Sequence, residues 1–323
     1  MTHRREDGLA LNILDLHGPG ARPGEREPEL SQGFDLLEPP GPFSPLVFCS
    51  PHSGNVYPRR FLAQSRLDAT TLRRSEDAHV DRLFAAMPEL GAPLLRAHFP
   101  RAYLDVNREP YELDPRMFDG RLPSFANTRS LRVAGGLGTI ARIVGEAQEI
   151  YTRRLPVSEA LMRIDGLYKP FHRLLRQVLD RAANRFGHCL LVDCHSMPST
   201  TAVCDPQGRA VEEKLRADFV LGDRFGTSCH PAIIDLMDYE LRRMGYAVGR
   251  NKPYAGGFIT EHYGHPRSGR NAVQVEINRA LYMNERTLEP AAGFAGLAQD
   301  MADLGQSLSE WMLQGQGMQR AAE

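Results

Sequence analysis

Apolar residues follow two rhythms along this chain, and their alternation is the first clue to its architecture. Short runs that are apolar at nearly every position, "PLVFCS" at 45–50 and "HCLLVD" at 188–193, suit strands covered on both faces. "APLLRAHF" (92–99), "AYLDV" (102–106), "DFVLGD" (218–223) and "AVQVEIN" (272–278) read as further strands. Between them the period lengthens toward that of a helix. In "LMRIDGLYKPFHRLLRQVLDRAANRF" (161–186) the residues Leu161, Ile164, Leu167, Tyr168, Phe171, Leu174, Leu175, Val178 and Leu179 form one stripe. Pro170 is expected to kink or restart that helix, and the whole span from Gly138 to Phe186 is expected to be mostly helical. "AIIDLMDYELRRMGY" (232–246) and "FAGLAQDMADLGQSLSEWMLQ" (294–314) read as helices too, the second with Trp311 on its apolar stripe. Short strands alternating with longer helices predict an α/β sheet with helices on its faces. No internal repeat is visible.

Composition changes this picture only near the amino end. Residues 18–45, "GPGARPGEREPELSQGFDLLEPPGPFSP", are crowded with proline, glycine and glutamate, which continue neither a helix nor a central strand. Residues 1–44 are therefore expected to form a leader lying over the surface, and residues 45–323 a single folded domain. Thirty-nine lysines and arginines nearly balance 40 aspartates and glutamates, so no overall field draws the chain to nucleic acid or to an anionic membrane. Any charge selectivity must be local. The first residues hold no signal-peptide core and no run reaches the ~18 apolar residues of a membrane span, which predicts a cytoplasmic protein. Five cysteines, with no CxxC pair, suggest reduced thiols in strands rather than a disulfide framework or a structural zinc knuckle.

The clearest candidates for chemistry are His52 and His195, each expected just past the carboxyl end of a buried strand, the edge where open α/β sheets bind ligands. Either alone reads as a hydrogen-bonded turn residue; two placed alike read as a site. "SEDAHVDRLFAAM" (75–87) opens like a helix with Ser75 as N-cap and acids in the first turn. Glu76 reads there as a solvated helix end. Asp77 and Asp81 lie one turn apart, so that one can be a ligand and the other its support, while His79 is an alternative ligand on another side of the turn. Two imidazoles and a carboxylate make the set found in hydrolytic zinc sites.

"FPRAYLDVNREP" (99–110), read as a strand, places Tyr103, Asp105 and Asn107 on one face. Arg108 beside Asn107 offers a fork and an amide to a carboxylate; a surface salt bridge is an equal reading for Arg101 or Arg108. "QVEIN" puts Gln274, Glu276 and Asn278 on one face and Val275 and Ile277 on the other. Glu276 there is either a general base or part of an exposed edge strand. In "NKPYAGGFITEHYGHPRSGRNA" (251–272), Gly256 and Gly257 point to close backbone approach or positive φ. No helix start is expected after them, which argues against a phosphate cradle, and the same objection applies to "AGGLG" at 134–138. No G-x-S-x-G elbow occurs, and Ser50, Ser53 and Ser196 lack an evident base.

Taken in order, "SPHSG" (50–54), "ED" (76–77) with "HVDRL", "RAYLDVNR" (101–108), "VDCHSMPS" (192–199), "LGDRFGTSC" (221–229), and "YAGGFITEHYG" followed by "AVQVEINRALYMNE" resemble the N-formylglutamate amidohydrolase family from about residue 45 to residue 285. The resemblance implies a zinc carboxypeptidase-like (phosphorylase/hydrolase-like) α/β domain with a central mixed, largely parallel sheet flanked by helices. It implies one catalytic zinc, or another divalent metal, on His52, Asp77 and His195, with Glu276 as general base and proton donor and Arg101 as partner of the oxyanion. Asn107, Arg108, Gly257 and Arg270 would bind substrate. Carboxypeptidase-like folds draw their first ligands from an H-x-x-E stretch, whereas His52 is followed by Ser53, Gly54 and Asn55. The carboxylate must come from elsewhere, from Asp77 or its neighbour Glu76. The implied reaction converts N-formylglutamate to formate and glutamate, as in histidine breakdown. The alternatives are deacylation of another N-acyl amino acid or carboxylated N-formyl amide, and a non-catalytic binder on the same scaffold, for which a base at Glu276 would have no use.

Overall fold

All nine residues of Cys189–Met197 are buried, which places that strand in the middle of a sheet rather than at its edge. The computed structural model describes residues 27–145, 147–204 and 210–320. Its main sheet has seven strands: β1 (Phe34–Leu37), β2 (Leu46–Ser50), β3 (Leu94–Ala97), β4 (Cys189–Met197), β5 (Phe219–Gly222), β6 (Val248–Arg250) and β7 (Arg270–Asn278). Their spatial order is β1-β3-β2-β4-β7-β5-β6. The four central strands β3, β2, β4 and β7 run parallel. β1 joins β3 antiparallel, β5 joins β7 antiparallel, and β6 is parallel to β5. The sheet is thus mixed and largely parallel, as expected.

The helices that position the site are α1 (Val80–Leu83), α2 (Val157–Arg163), α3 (Lys169–Phe186), α4 (Pro231–Arg243), α5 (Phe258–Tyr263) and α6 (Phe294–Arg320). Alternation along the strands sends side chains to two cores. Leu190, Val192 and Cys194 of β4 and Val273, Val275 and Ile277 of β7 pack with Ile233 and Met237 of α4 and with Met301, Leu304 and Leu308 of α6. On the other face Cys189 and Leu191 of β4 and Ala272 of β7 pack with Phe171, Leu175 and Leu179 of α3.

On the α3 face the pattern then changes. In register, Ala272 sits beside Leu191, Gln274 beside Asp193 and Glu276 beside His195. One pair is apolar and the next two are polar. The core therefore gives way to a site toward the carboxyl ends of the parallel strands, the edge at which such sheets bind ligands. "QVEIN" belongs to this internal strand, between β4 and β5, and not to an exposed edge.

Several local expectations are corrected. The stretch before residue 45 is not all leader: Phe34–Leu37 forms edge strand β1, and Leu30 and Phe34 are buried. The prolines fall on either side of it, at Pro28 and at Pro39–Pro40, where an edge strand tolerates them. Residues 1–26 lie outside the described residues. "AYLDV" is turn rather than strand; Tyr103 and Leu104 are both core residues, so the apolar content that suggested a strand serves burial. Between Gly138 and Pro156 the chain is turns and two-residue strands, and only from Val157 is it helical. A π-helical segment at Ile164–Tyr168 joins α2 to α3, with Pro170 just after it, so the helix widens there instead of breaking. Trp311 is 41% exposed, and its neighbour Met312 is the residue on the buried stripe of α6. Cys49, Cys189, Cys194 and Cys229 are buried and unpaired. No helix among the described residues is long and apolar enough to cross a membrane.

Candidate metal centre

The loop leaving β2 carries His52, and its path is fixed by Gly54: a Cβ there would lie 2.2 Å from the carbonyl oxygen of Phe99, so only glycine lets the two backbones approach this closely. The His52 carbonyl accepts the backbone N–H of Asp77 at 3.0 Å, which brings the second segment alongside the first. The third ligand candidate stands on β4 itself, since that strand continues through His195 to Met197 instead of ending before it.

The three side chains meet. Nδ1 of His52 lies 3.1 Å from Nδ1 of His195, and Asp77 Oδ2 lies 3.0 Å from the second and 3.5 Å from the first. All are buried, and their donor atoms fall within 4.8 Å of one another. Behind them, His52 Nε2 is 2.7 Å from Asp105 Oδ1, and His195 Nε2 is 3.0 Å from both Asp193 Oδ1 and Asn107 Nδ2. Each imidazole thus turns Nε2 to a carboxylate and Nδ1 to the centre. With Nε2–H donating to Asp105, the His52 Nδ1 lone pair faces a second nitrogen and a carboxylate oxygen, a convergence that suits a cation.

Electrostatics agree with this. Burial alone would raise the Asp77 carboxyl, but hydrogen bonds from His195 and His52, with the charge of Arg279, hold it well below the ordinary carboxylate range. Burial would lower the His195 imidazole, yet Asp193 and Asp77 outweigh it and hold it well above its usual value. The second Asp77 oxygen accepts from Ser196 Oγ at 3.2 Å and Arg279 Nη2 at 3.0 Å. Glu76 faces the other way: it accepts from Tyr57 at 2.8 Å and Arg73 at 3.1 Å. It is buried rather than solvated, and of the two acids it is Asp77 that faces the imidazoles.

Glu276 stands beside His195 on β7, with Gln274 Nε2 donating to its Oε1 at 2.6 Å. Burial pushes its carboxyl up to about 7. Asp77, His195 and Glu276 line a cleft of about 410 Å³, with Arg74, Arg101, Arg279 and Tyr254 around it, a volume typical of small-molecule sites. Arg101 donates to Asp105 Oδ2 at 2.8 Å while lining this cleft.

Other expected residues are elsewhere. The Asn107 amide is committed to His195, to Asp193 at 3.1 Å and, as acceptor, to Ile259 N at 2.8 Å; it orients a histidine and does not reach the cleft. Arg108 donates to the carbonyls of Leu137 and Asn107, both at 2.9 Å, because the turn at 102–107 directs it away. Gly257 allows close approach, since a Cβ would lie 2.5 Å from Asn107 Oδ1; helix α5 does begin after it. Arg270 opens β7 and pairs with Asp180 at 2.9 Å, six residues and so about 20 Å from Glu276. Ser75 donates to Leu72 O instead of capping, and His79 caps α1 with its Nε2 on Leu288 O. Asp81 lies near Arg96 rather than behind Asp77. Arg279, which holds Asp77 in place, was missed; its one signal is its position directly after the polar strand, in "EINR".

Residues 44–283 match the profile of the family described as N-formylglutamate amidohydrolase. An N-formylglutamate deformylase of Pseudomonas aeruginosa is 31% identical over 274 residues, spanning 83% of this chain and 93% of that protein. A deformylase of the same name from Pseudomonas putida is 28% identical, with the same coverage. Among solved structures, the N-formylglutamate amidohydrolase of Ralstonia eutropha JMP134 superposes with a TM-score of 0.80 at 39% identity, covering 88% of this chain and 99% of that one.

Proposed function

The chain belongs to the N-formylglutamate amidohydrolase family, and on that premise we propose that this hydrolytic amidohydrolase cleaves the formyl amide of N-formylglutamate, releasing formate and glutamate, at a zinc centre held by His52, Asp77 and His195. The observation that carries this reading is the convergence of two Nδ1 atoms and one carboxylate oxygen within 4.8 Å. Two nitrogens and one oxygen, each imidazole backed by a carboxylate, are the donors zinc takes in hydrolytic sites. A zinc ion held there would supply Lewis-acid polarisation of the amide carbonyl and acidify water to a pKa of about 7.

The chain's own residues do the rest. Glu276 takes the proton of the attacking water and delivers it to the departing amine nitrogen as the C–N bond breaks. Its buried carboxyl, raised to about 7, can hold and release a proton near neutrality. Arg101, fixed by Asp105, steadies the developing oxyanion, where loss of one such donor costs about 10²–10³ in rate. The guanidinia around the cleft suit a substrate with two carboxylates in a chain whose net charge is only −1.

Metal analysis combined with Glu276→Gln tests this. Wild-type protein should contain about one zinc per chain and hydrolyse N-formylglutamate, and the variant should keep its zinc while kcat falls about 10²- to 10⁴-fold. Unchanged hydrolysis by a zinc-loaded variant would remove Glu276 from the mechanism.

A further inference from the structure

Three arginines line the cleft, and the structure sorts them. Arg101 is tied to Asp105, the residue that holds His52 Nε2. Arg279 is tied to Asp77 Oδ1, to the Glu76 carbonyl at 2.7 Å and to Ser196 Oγ at 3.1 Å. Both are bound to the reacting end. The Arg74 guanidinium makes no hydrogen bond and no ion pair among the described residues, and its side chain is exposed at the cleft wall.

Its backbone is nevertheless fixed. Arg74 caps the short helix Ala69–Arg73, flanked by fully buried Leu72 and by Arg73, which pairs with Glu76. Its carbonyl oxygen accepts from Arg279 Nη1 at 3.4 Å. Arg279 thus bridges the Asp77 carboxylate and the Arg74 backbone, which seats Arg74 next to the group that holds Asp77. In a glutamate-type substrate the α-carboxylate lies two bonds from the scissile nitrogen and the side-chain carboxylate four, so the second carboxylate extends farther from the reacting end.

We propose that Arg74 is the specificity-determining residue that grips the side-chain carboxylate of the substrate. This rests on the dicarboxylate reading above. An uncommitted guanidinium at the mouth stays hydrated until an anion arrives and can then form the planar two-point pair that a lysine cannot. Ala141, Ile143 and Val144 on the cleft wall suit the two methylenes between the carboxylates.

The test compares Arg74→Met, Arg74→Lys and wild type, all zinc-loaded, on N-formyl-L-glutamate and N-formyl-L-glutamine. The preference for glutamate, as the ratio of kcat/KM values, should fall about 10- to 100-fold in Arg74→Met, the scale of a lost charged hydrogen bond, chiefly through KM. Arg74→Lys should recover part of it. A preference unchanged in Arg74→Met overturns the assignment, as does an equal loss on both substrates. Titration with glutarate gives a readout that needs no turnover: it should bind wild type and bind Arg74→Met at least tenfold more weakly, and equal binding overturns the assignment. A wild type that hydrolyses neither substrate yet binds glutarate through Arg74 defeats the proposed reaction and leaves Arg74 standing.

Discussion

Asp105 does three things with one carboxylate: it receives His52 Nε2 at 2.7 Å, Arg101 at 2.8 Å and the Asn107 backbone N–H at 2.8 Å. Burial opposes its ionisation, but Arg108, His52 and Arg101 hold its pKa well below the ordinary range, so it faces His52 as an anion. Replacing it with asparagine keeps the shape and removes the charge that backs His52, the first proposed ligand. Asp105→Asn should weaken zinc binding about 10- to 100-fold, the usual effect of losing such a backing group, as measured by competition with a chromogenic chelator; unchanged affinity would show that His52 needs no such support. The residue scale also shows what sequence can and cannot convey. His52, Asp77, His195 and Glu276 were legible because each sits at a strand end, at a helix-like turn or on an oddly polar strand. Asn107 and Arg108 were legible as polar residues but not in their direction, since one turn in place of a strand reverses where a side chain points.

At the scale of elements, the edge strand β1 is held to β3 by charge as well as by its ladder. Arg96 donates to Asp35 through two nitrogens, at 2.7 and 2.9 Å, and His98 Nε2 lies 3.2 Å from it. Burial would raise the Asp35 carboxyl, but the His98 and Arg96 bonds outweigh it and bring it down to about 2. Below its unfolded value of about 3.9, that folded pKa means the pairing contributes in full above roughly pH 4 and is lost as pH falls through about 2. His98 is raised by its bond to Asp35, so its contribution is full below about 6.5 and is lost as pH rises through its folded value. The stability difference between wild type and Asp35→Asn, from urea unfolding, should therefore be widest between about pH 4 and 6.5 and narrow on both sides; a difference independent of pH would deny the pair this role. The strands with dense apolar runs and the helices with long stripes were readable in advance. β1 was not, because its four residues "FDLL" lie among prolines and are stabilised by partners far along the chain.

For the whole molecule, the three proposed ligands come from separate places in the chain, residues 52, 77 and 195. A bound ion ties the loop after β2, the turn before α1 and strand β4 into one unit that the unfolded chain does not reproduce. Binding to the folded state alone stabilises it by about 4 kcal/mol when free metal is a thousandfold above its Kd. Removing metal with a chelator should lower Tm, and adding zinc back should restore it in a concentration-dependent way; a Tm indifferent to both would mean that the site holds no ion at working concentrations. Architecture at this scale was the most readable of all, since the alternation of two apolar periods already specifies an α/β sheet. The near balance of charge pointed to local selectivity, and three arginines, Arg74, Arg101 and Arg279, line the cleft beside Asp77 and His195.

The change of character along the α3 face of β4 and β7 bears on how such a protein can evolve. Leu191 and Ala272 belong to the core, and one same-face step later Asp193 and Gln274 belong to the site. On that face, stability and chemistry are thus encoded in different halves of the same strands, while the opposite face is core at Leu190, Val192 and Cys194 and at Val273, Val275 and Ile277. Drift confined to the last same-face positions can exchange one reaction for another while the scaffold beneath keeps its packing, so new activities can be tried without first rebuilding a fold.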